Sequence, residues 1–241
     1  MKRGRSLSGF VARHRIQILM WALVAEMLAS PLADTCPRLG AMFGLAVLLM
    51  VLFGLGHMAN RRIIRPIVLP IAALWTITRL AEAFSNHRET YANLSPILGL
   101  LFSCSILWAI MDHFRSQFRS PRGAITEALI GYLVIAMAFS QLYSILNRLV
   151  EQAFNRPIPS TQNGTFLYFS IVTLTSVGYG WIAPLNPYVR MVAALESVSG
   201  IFFVAVVVAR LVSSYRPKQS PRPHRLRRQE SPPREGSPMR T

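Results

Sequence analysis

Six consecutive residues, Thr175-Ser176-Val177-Gly178-Tyr179-Gly180, carry the unusual chemistry of this chain. Two hydroxyl side chains lead into Gly-Tyr-Gly, and the whole set interrupts an apolar run, "TLTSVGYGWI". It contains no base for a nucleophile and no metal-binding side chain. What it offers is backbone, because glycine adopts φ and ψ values that side chains resist. A lone Gly-x-Gly reads as a turn, so the meaning of this stretch depends on where the surrounding elements hold it.

Side-chain chemistry elsewhere is sparse. His14, His57, His87, His113 and His224 show no ligand-type spacing. Cys36 falls in a loop and Cys104 within an apolar span, which argues against a mutual disulfide, and the two have no metal-ligand spacing. An intramembrane hydrolase would need a serine or metal-bound water with a partner base, and none is visible. The chain therefore reads as a non-enzyme without a cofactor. Its net charge of +16 invites a nucleic-acid reading. However, the basic residues sit in short segments between apolar spans rather than on one face, which argues against nucleic acid.

The positioning elements belong to a membrane. Hydrophobic residues make up 52% of the 241, and mean hydropathy is +0.36. A helix crosses hydrocarbon in about 20 residues. Runs of roughly that kind extend from Ile16 to Leu32, Gly40 to Leu55, Ile64 to Phe84, Pro96 to Met111, Ala124 to Leu146 and Pro187 to Val212. Ser95-Pro96, Ser120-Pro121 and Asn186-Pro187 each place a capping side chain before a proline suited to a first helical turn. The first span also follows a basic start, as a signal peptide would, but "ASPLAD" is a poor cleavage site with Pro31 in the way.

Positive charge orients the spans. With the amino terminus inside, 19 of the 26 basic residues fall in cytoplasmic segments. Arg38, Arg88, Arg148, Arg156 and Arg190 fall in the outer connections, and Arg79 and Arg210 in or near helix ends. Both termini are expected in the cytoplasm and the chain in the cell membrane, multi-pass.

Between the fifth and sixth spans lies 147–186, with its own apolar piece "TFLYFSIVTL". At about 1.5 Å per residue this piece makes a helix near 15 Å long, half a bilayer. It can enter the membrane but not cross it. Asn163-Gly164 reads as a turn, with Thr165 able to cap the helix. The chain would return through "TSVGYG". Non-helical backbone at that depth is tolerated only where it is protein-buried or lines a water-filled path.

On these residues the chain resembles the potassium channels, whose filter pattern is Thr-Thr-Val-Gly-Tyr-Gly. The resemblance covers roughly Ala124 to Val212 as outer helix, pore helix, filter and inner helix. It implies that backbone carbonyls of Ser176, Val177, Gly178 and Tyr179 replace the water around K+, with the Ser176 hydroxyl adding the innermost ring. Gly180 would permit the backbone geometry, and Thr175 would support the inner mouth. Tyr168 and Phe169 stand where the family packs an aromatic cuff. One filter segment per chain implies a homotetramer, with K+ as the permeant ion and the bilayer as surroundings. Three positions depart from the family pattern. Trp181 replaces the common Asp after Gly-Tyr-Gly, Ser176 replaces Thr, and Val172 stands where some bacterial pores carry Glu.

Glu196 lies about 13 Å along the last span counted from Pro187. At that depth an ionisable group marks function, and bracing of the filter from behind the pore helix is expected. The alternative is a rim carboxylate paired with Arg190. Gly200 serves either as a hinge of the inner helix or as a close-packing site. The fourth span, "PILGLLFSCSILWAIM", contains no Arg or Lys, so strong voltage gating is not expected.

The expected fold is thus an all-α membrane protein of six transmembrane helices, with a re-entrant pore helix and filter loop between the fifth and sixth. Residues 1–15 form a basic cytoplasmic segment, 16–115 a four-helix region without an arginine ladder, and 120–212 the pore domain. Residues 213–241, rich in Pro, Ser and Arg, read as a disordered tail attracted to anionic lipid. A non-conducting or weakly selective channel-like subunit is the competing reading.

Overall fold

The computed structural model describes residues 7–36, 38, 45, 64–85, 88–116, 121–159 and 162–214. Among them run six helices: α1 (Leu7–Thr35), α2 (Ile64–Phe84), α3 (Arg88–Ser116), α4 (Pro121–Leu149), α5 (Asn163–Leu174) and α6 (Pro187–Ser214). The one β-type pairing among the described residues is a bridge between Phe154 and Pro184. Four helices contain stretches long and apolar enough to cross a membrane: Pro66–Phe84, Thr90–Met111, Ile125–Leu149 and Pro187–Arg210. The apolar part of α1, Leu19–Leu32, and the whole of α5 are shorter. The architecture is that of a helical membrane protein. The expected span from Gly40 to Leu55 lies outside the described residues, as does the tail after Ser214.

Helix α2 has the bounds that hydropathy predicts, and α4 and α6 begin at the prolines singled out for that purpose, Pro121 and Pro187. Asn186 caps α6 by accepting the Tyr188 N–H at 2.9 Å. The expected start at Ser95-Pro96 is corrected: α3 begins at Arg88 and runs through the proline. Proline lacks an N–H, so it leaves the carbonyl four residues earlier without its helical partner. Here that carbonyl belongs to Ala92, and the Arg148 guanidinium of α4 donates to it. Pro31 within α1 has a local answer of the same kind. The Met27 carbonyl, four residues before it, accepts the Ser30 hydroxyl at 2.9 Å.

Two apolar clusters organise the packing. One joins Leu19 and Leu23 of α1, Ala72 and Trp75 of α2, Phe102 and Ile106 of α3, and Ile130 and Val134 of α4. Trp75 and Phe102 stack within it, ring centroids 5.3 Å apart. The other gathers Tyr143 of α4, Phe154 of the following loop, Phe166 and Phe169 of α5, and Val189 of α6. Tyr143 and Phe154 meet Phe169 edge-on, at 4.8 and 5.3 Å. The second cluster surrounds α5 and holds it against its neighbours.

Candidate functional site

The 12 residues of α5 end at Leu174, immediately before the six residues of interest. A helix leaves its last four carbonyls without intrahelical donors. Each is answered here. The Ile171 carbonyl accepts the Thr175 N–H at 3.0 Å and the Thr175 hydroxyl at 2.7 Å. The Val172 carbonyl accepts the N–H groups of Val177 and Gly178, at 3.0 and 3.3 Å. The Thr173 carbonyl takes the Ser176 N–H at 2.9 Å and the Ser197 hydroxyl of α6 at 3.0 Å. The Tyr132 hydroxyl of α4 donates to the Leu174 carbonyl at 3.1 Å.

These bonds orient the segment that follows. In a trans peptide the carbonyl of one residue points opposite to the N–H of the next, and the described residues contain no cis bond. Because the N–H groups of Ser176, Val177 and Gly178 turn back to α5, the carbonyls of Thr175, Ser176 and Val177 face away from it. The backbone then alternates in hand. Ser176, Gly178 and Gly180 have φ of 56°, 60° and 76°, whereas Val177 and Tyr179 between them are not left-handed. Such alternation collects N–H groups on one edge and carbonyls on the other. Glycine adopts the left-handed values freely, and Ser176 takes one at a steric cost. All six residues from Thr175 to Gly180 are exposed in the single chain, and among the described residues no hydrogen bond falls on their carbonyls. The result is an uncovered edge of main-chain oxygen at the partially negative end of a helix.

The end of the segment farther from α5 is tied to the loop after α4. Leu185 N–H donates to the Ala153 carbonyl at 3.0 Å, and Asn155 N–H to the Ala183 carbonyl at 2.9 Å. The Asn155 side chain also accepts the Ala183 N–H at 3.0 Å. Trp181 sits between Tyr168, which it meets edge-on at 6.1 Å, and Arg156, whose guanidinium lies 4.3 Å from the ring centre.

Glu196 of α6 is fully buried and points at α4 and α5. Its Oε2 accepts the Tyr143 hydroxyl at 2.6 Å, and its Oε1 lies 2.5 Å from the Ser170 hydroxyl. That hydroxyl is also 2.7 Å from the Ala136 carbonyl. A serine has one proton to donate, so both acceptors are served together when the carboxyl is protonated and donates to Ser170. Glu196 thus links three helices behind the exposed segment. Among the described residues it makes no ion pair with Arg190. One turn on, Gly200 packs on the end of α5 so closely that a Cβ would stand 2.1 Å from the Leu174 carbonyl oxygen.

The structure brings together Tyr168, Phe169, Val172, Thr175 to Trp181, Glu196 and Gly200, as the sequence groups them. Several details differ. The Thr175 hydroxyl turns back onto the end of α5. Val172 supports the segment through its carbonyl, with its side chain half-buried. Thr165 lies inside α5, which begins at Asn163, and its hydroxyl reaches only Gln162 at 3.5 Å. Sequence reasoning missed Tyr132, Tyr143, Ser170 and Ser197, the hydroxyls that answer Glu196 and the end of α5. The available signal was a set of hydroxyls within apolar helices, since a buried carboxyl requires such donors.

Comparison with known proteins bears on this same part of the chain. Residues 132–216 match a family model described as "Ion channel", a match that takes in most of α4, all of α5, the segment after it and α6. It supports an ion channel pore domain here. Protein LctB of Bacillus caldotenax is 28% identical over 130 residues, covering 51% of this chain and 94% of the relative. Protein LctB of Geobacillus stearothermophilus is 29% identical over 130 residues with the same coverage. No solved structure gives a significant match.

Proposed function

We propose that the protein is a potassium-selective channel that lets K+ pass down its gradient through a pore shared by four copies. The observation that carries this reading is the hand alternation at Ser176, Gly178 and Gly180, with the N–H groups of Ser176, Val177 and Gly178 turned back to α5. Four such edges about one axis would present stacked rings of oxygen to a dehydrating cation. The ligands are the carbonyls of Ser176, Val177, Gly178 and Tyr179, with Tyr168, Phe169, Trp181 and Glu196 holding the segment in place.

Fourfold assembly is supported by what one chain leaves bare. Val177, Tyr179 and Trp181 are exposed, and only 11% of the α6 span is buried by its own chain. Voltage sensing has no support among the described helices. Arg79 of α2 is committed to Glu82 at 3.1 Å, and the span Thr90–Met111 of α3 has no basic residue. The pore belongs in the cell membrane, entered by α5 from the outer side, with both termini cytoplasmic.

The test is potassium against sodium flux through purified protein in liposomes, repeated with Gly178→Ser. Potassium passing well above sodium, with selectivity lost in the variant, supports the channel. Assembled protein without flux of either ion makes the chain a non-conducting subunit.

A further inference from the structure

Helix α5 carries the oxygen edge at one end, and its other end lacks a cap of its own. The side chain of Gln162, the residue before it, meets the Thr165 hydroxyl but caps no backbone N–H of the first turn. The missing acceptor comes from α1. Asp34 Oδ1 accepts the Gly164 N–H at 3.2 Å. We infer that Asp34 is a positioning residue of the pore: its carboxyl, held at the end of α1, caps α5 and fixes the direction of the helix that bears the filter.

A second observation is independent of that bond. A Cβ on Gly164 would stand 2.6 Å from Asp34 Oδ2 and 3.0 Å from the Ser30 carbonyl oxygen. The backbones of α1 and α5 therefore approach so closely that a side chain at 164 would push the Asp34 carboxyl aside and press on Ser30. Ser30 is itself fixed by its bond to Met27 across the Pro31 site. The contact has two parts, a hydrogen bond and a close approach, and both fall within the last two turns of α1. Any tilt of α1 is handed to α5, and α5 delivers it about 18 Å away at the filter. Asp34 lies outside the 132–216 segment that matches the ion-channel model, so the contact joins the preceding helices to the pore. It gives α1 a role that apolar packing alone would not.

Asp34 lies two residues beyond the apolar stretch Leu19–Leu32. Burial pushes its carboxyl above the ordinary range. The Gly164 amide, the Arg79 charge and the amides of Thr165 and Asn163 pull the other way, in that order. Arg79 of α2, paired with Glu82, is the one charge among the described residues that acts on it; α4 and α5 bring none. A carboxyl whose pKa is raised on docking favours the docked state in acid. That contribution is lost as pH rises through the docked pKa.

The flux consequence rests on the channel reading, whereas amide exchange tests the contact without it. In purified, assembled protein, Asp34→Ala should speed exchange of the 163–166 amides about fivefold to tenfold, the size of a lost cap, and lower the potassium-to-sodium flux ratio. Asp34→Asn keeps an oxygen acceptor and should restore both. After correction for intrinsic rates, protection at 163–166 in the unsubstituted protein should fall as pH rises through mild acid, and Asp34→Asn should be flat. Exchange unchanged in Asp34→Ala overturns the inference, as does equal loss in Asp34→Asn. If Asp34→Ala does not assemble, superimposable pH profiles of the unsubstituted protein and Asp34→Asn overturn it. Absence of flux from every form, with the exchange effects present, refutes the channel reading and leaves the cap standing.

Discussion

Helices α3 and α6 are both long and apolar, yet the chain surrounds them very differently. Its own residues bury 56% of the α3 span and 11% of the α6 span. α3 is enclosed by α2 and α4, and its serines at 95, 103 and 105 are all buried. α6 meets its own chain along one stripe through Val189, Glu196 and Gly200, leaving Met191, Leu195, Val198, Ile201 and Phe202 uncovered. In a bilayer apolar side chains gain little by leaving lipid, so helices are held by close approach and polar bonds. On α6 those contacts are concentrated where it touches α4 and α5. Loss of apolar packing around α3 should therefore leave flux intact, whereas loss along the α6 stripe should not.

The most severe break is Glu196→Leu. It leaves the buried Tyr143 hydroxyl without its acceptor, at about 1–3 kcal/mol, and takes from Ser170 one of its two partners. Thermal stability of the assembled protein and potassium flux should both collapse. Glu196→Gln, able to accept from Tyr143 and donate to Ser170, should preserve both. Wild-type melting and flux in the leucine variant would mean that α6 is not held by this network.

Next in size is Gly200→Ala, whose added Cβ must displace the end of α5, at about 1–3 kcal/mol. Potassium flux should fall. Gly131→Ala is the matched control, because its Cβ would rest 3.5 Å from the Phe203 ring, an ordinary contact. It should conduct normally. The close approach at Gly200 also means that loss of flux in its alanine variant does not by itself argue for a hinge.

A subtler comparison probes α3. Arg148→Met should destabilise the protein by about 1–3 kcal/mol by depriving the Ala92 carbonyl of its donor. In a Pro96→Ala background the restored N–H replaces that donor and the penalty shrinks. Melting of the four proteins gives the coupling, and the potassium-to-sodium ratio should stay constant throughout. The smallest effect belongs to Arg156→Ala beside Trp181. An exposed cation over an aromatic ring contributes about 0.5–1 kcal/mol, so steady flux should change by no more than about twofold.

Much of the plan was legible before any coordinates. Ile64 to Phe84 stood out because an apolar run bounded by polar residues has one length compatible with a bilayer. The half-length of α5 and the glycines at 178 and 180 marked the return of the chain for equally local reasons. The start of α3 was misread because Ser-Pro is a capping signal only when no distant donor serves the freed carbonyl. Arg148, 56 residues away, serves it. Thr165 was misread as a cap for the same reason, since Asp34 takes that place from 130 residues away.

By itself, then, the sequence determined that the chain carries long apolar helices suited to a membrane and where the backbone can leave helical geometry. Run length and glycine placement are local quantities, read against a slab of nearly constant thickness. Only the tertiary structure decided which hydroxyls reach Glu196, how near Gly200 lies to α5, and that α1 grips the far end of that helix. Each depends on the relative rotation and depth of helices far apart in the chain. Lipid accepts every apolar face alike, so no hydrophobic pattern records that rotation.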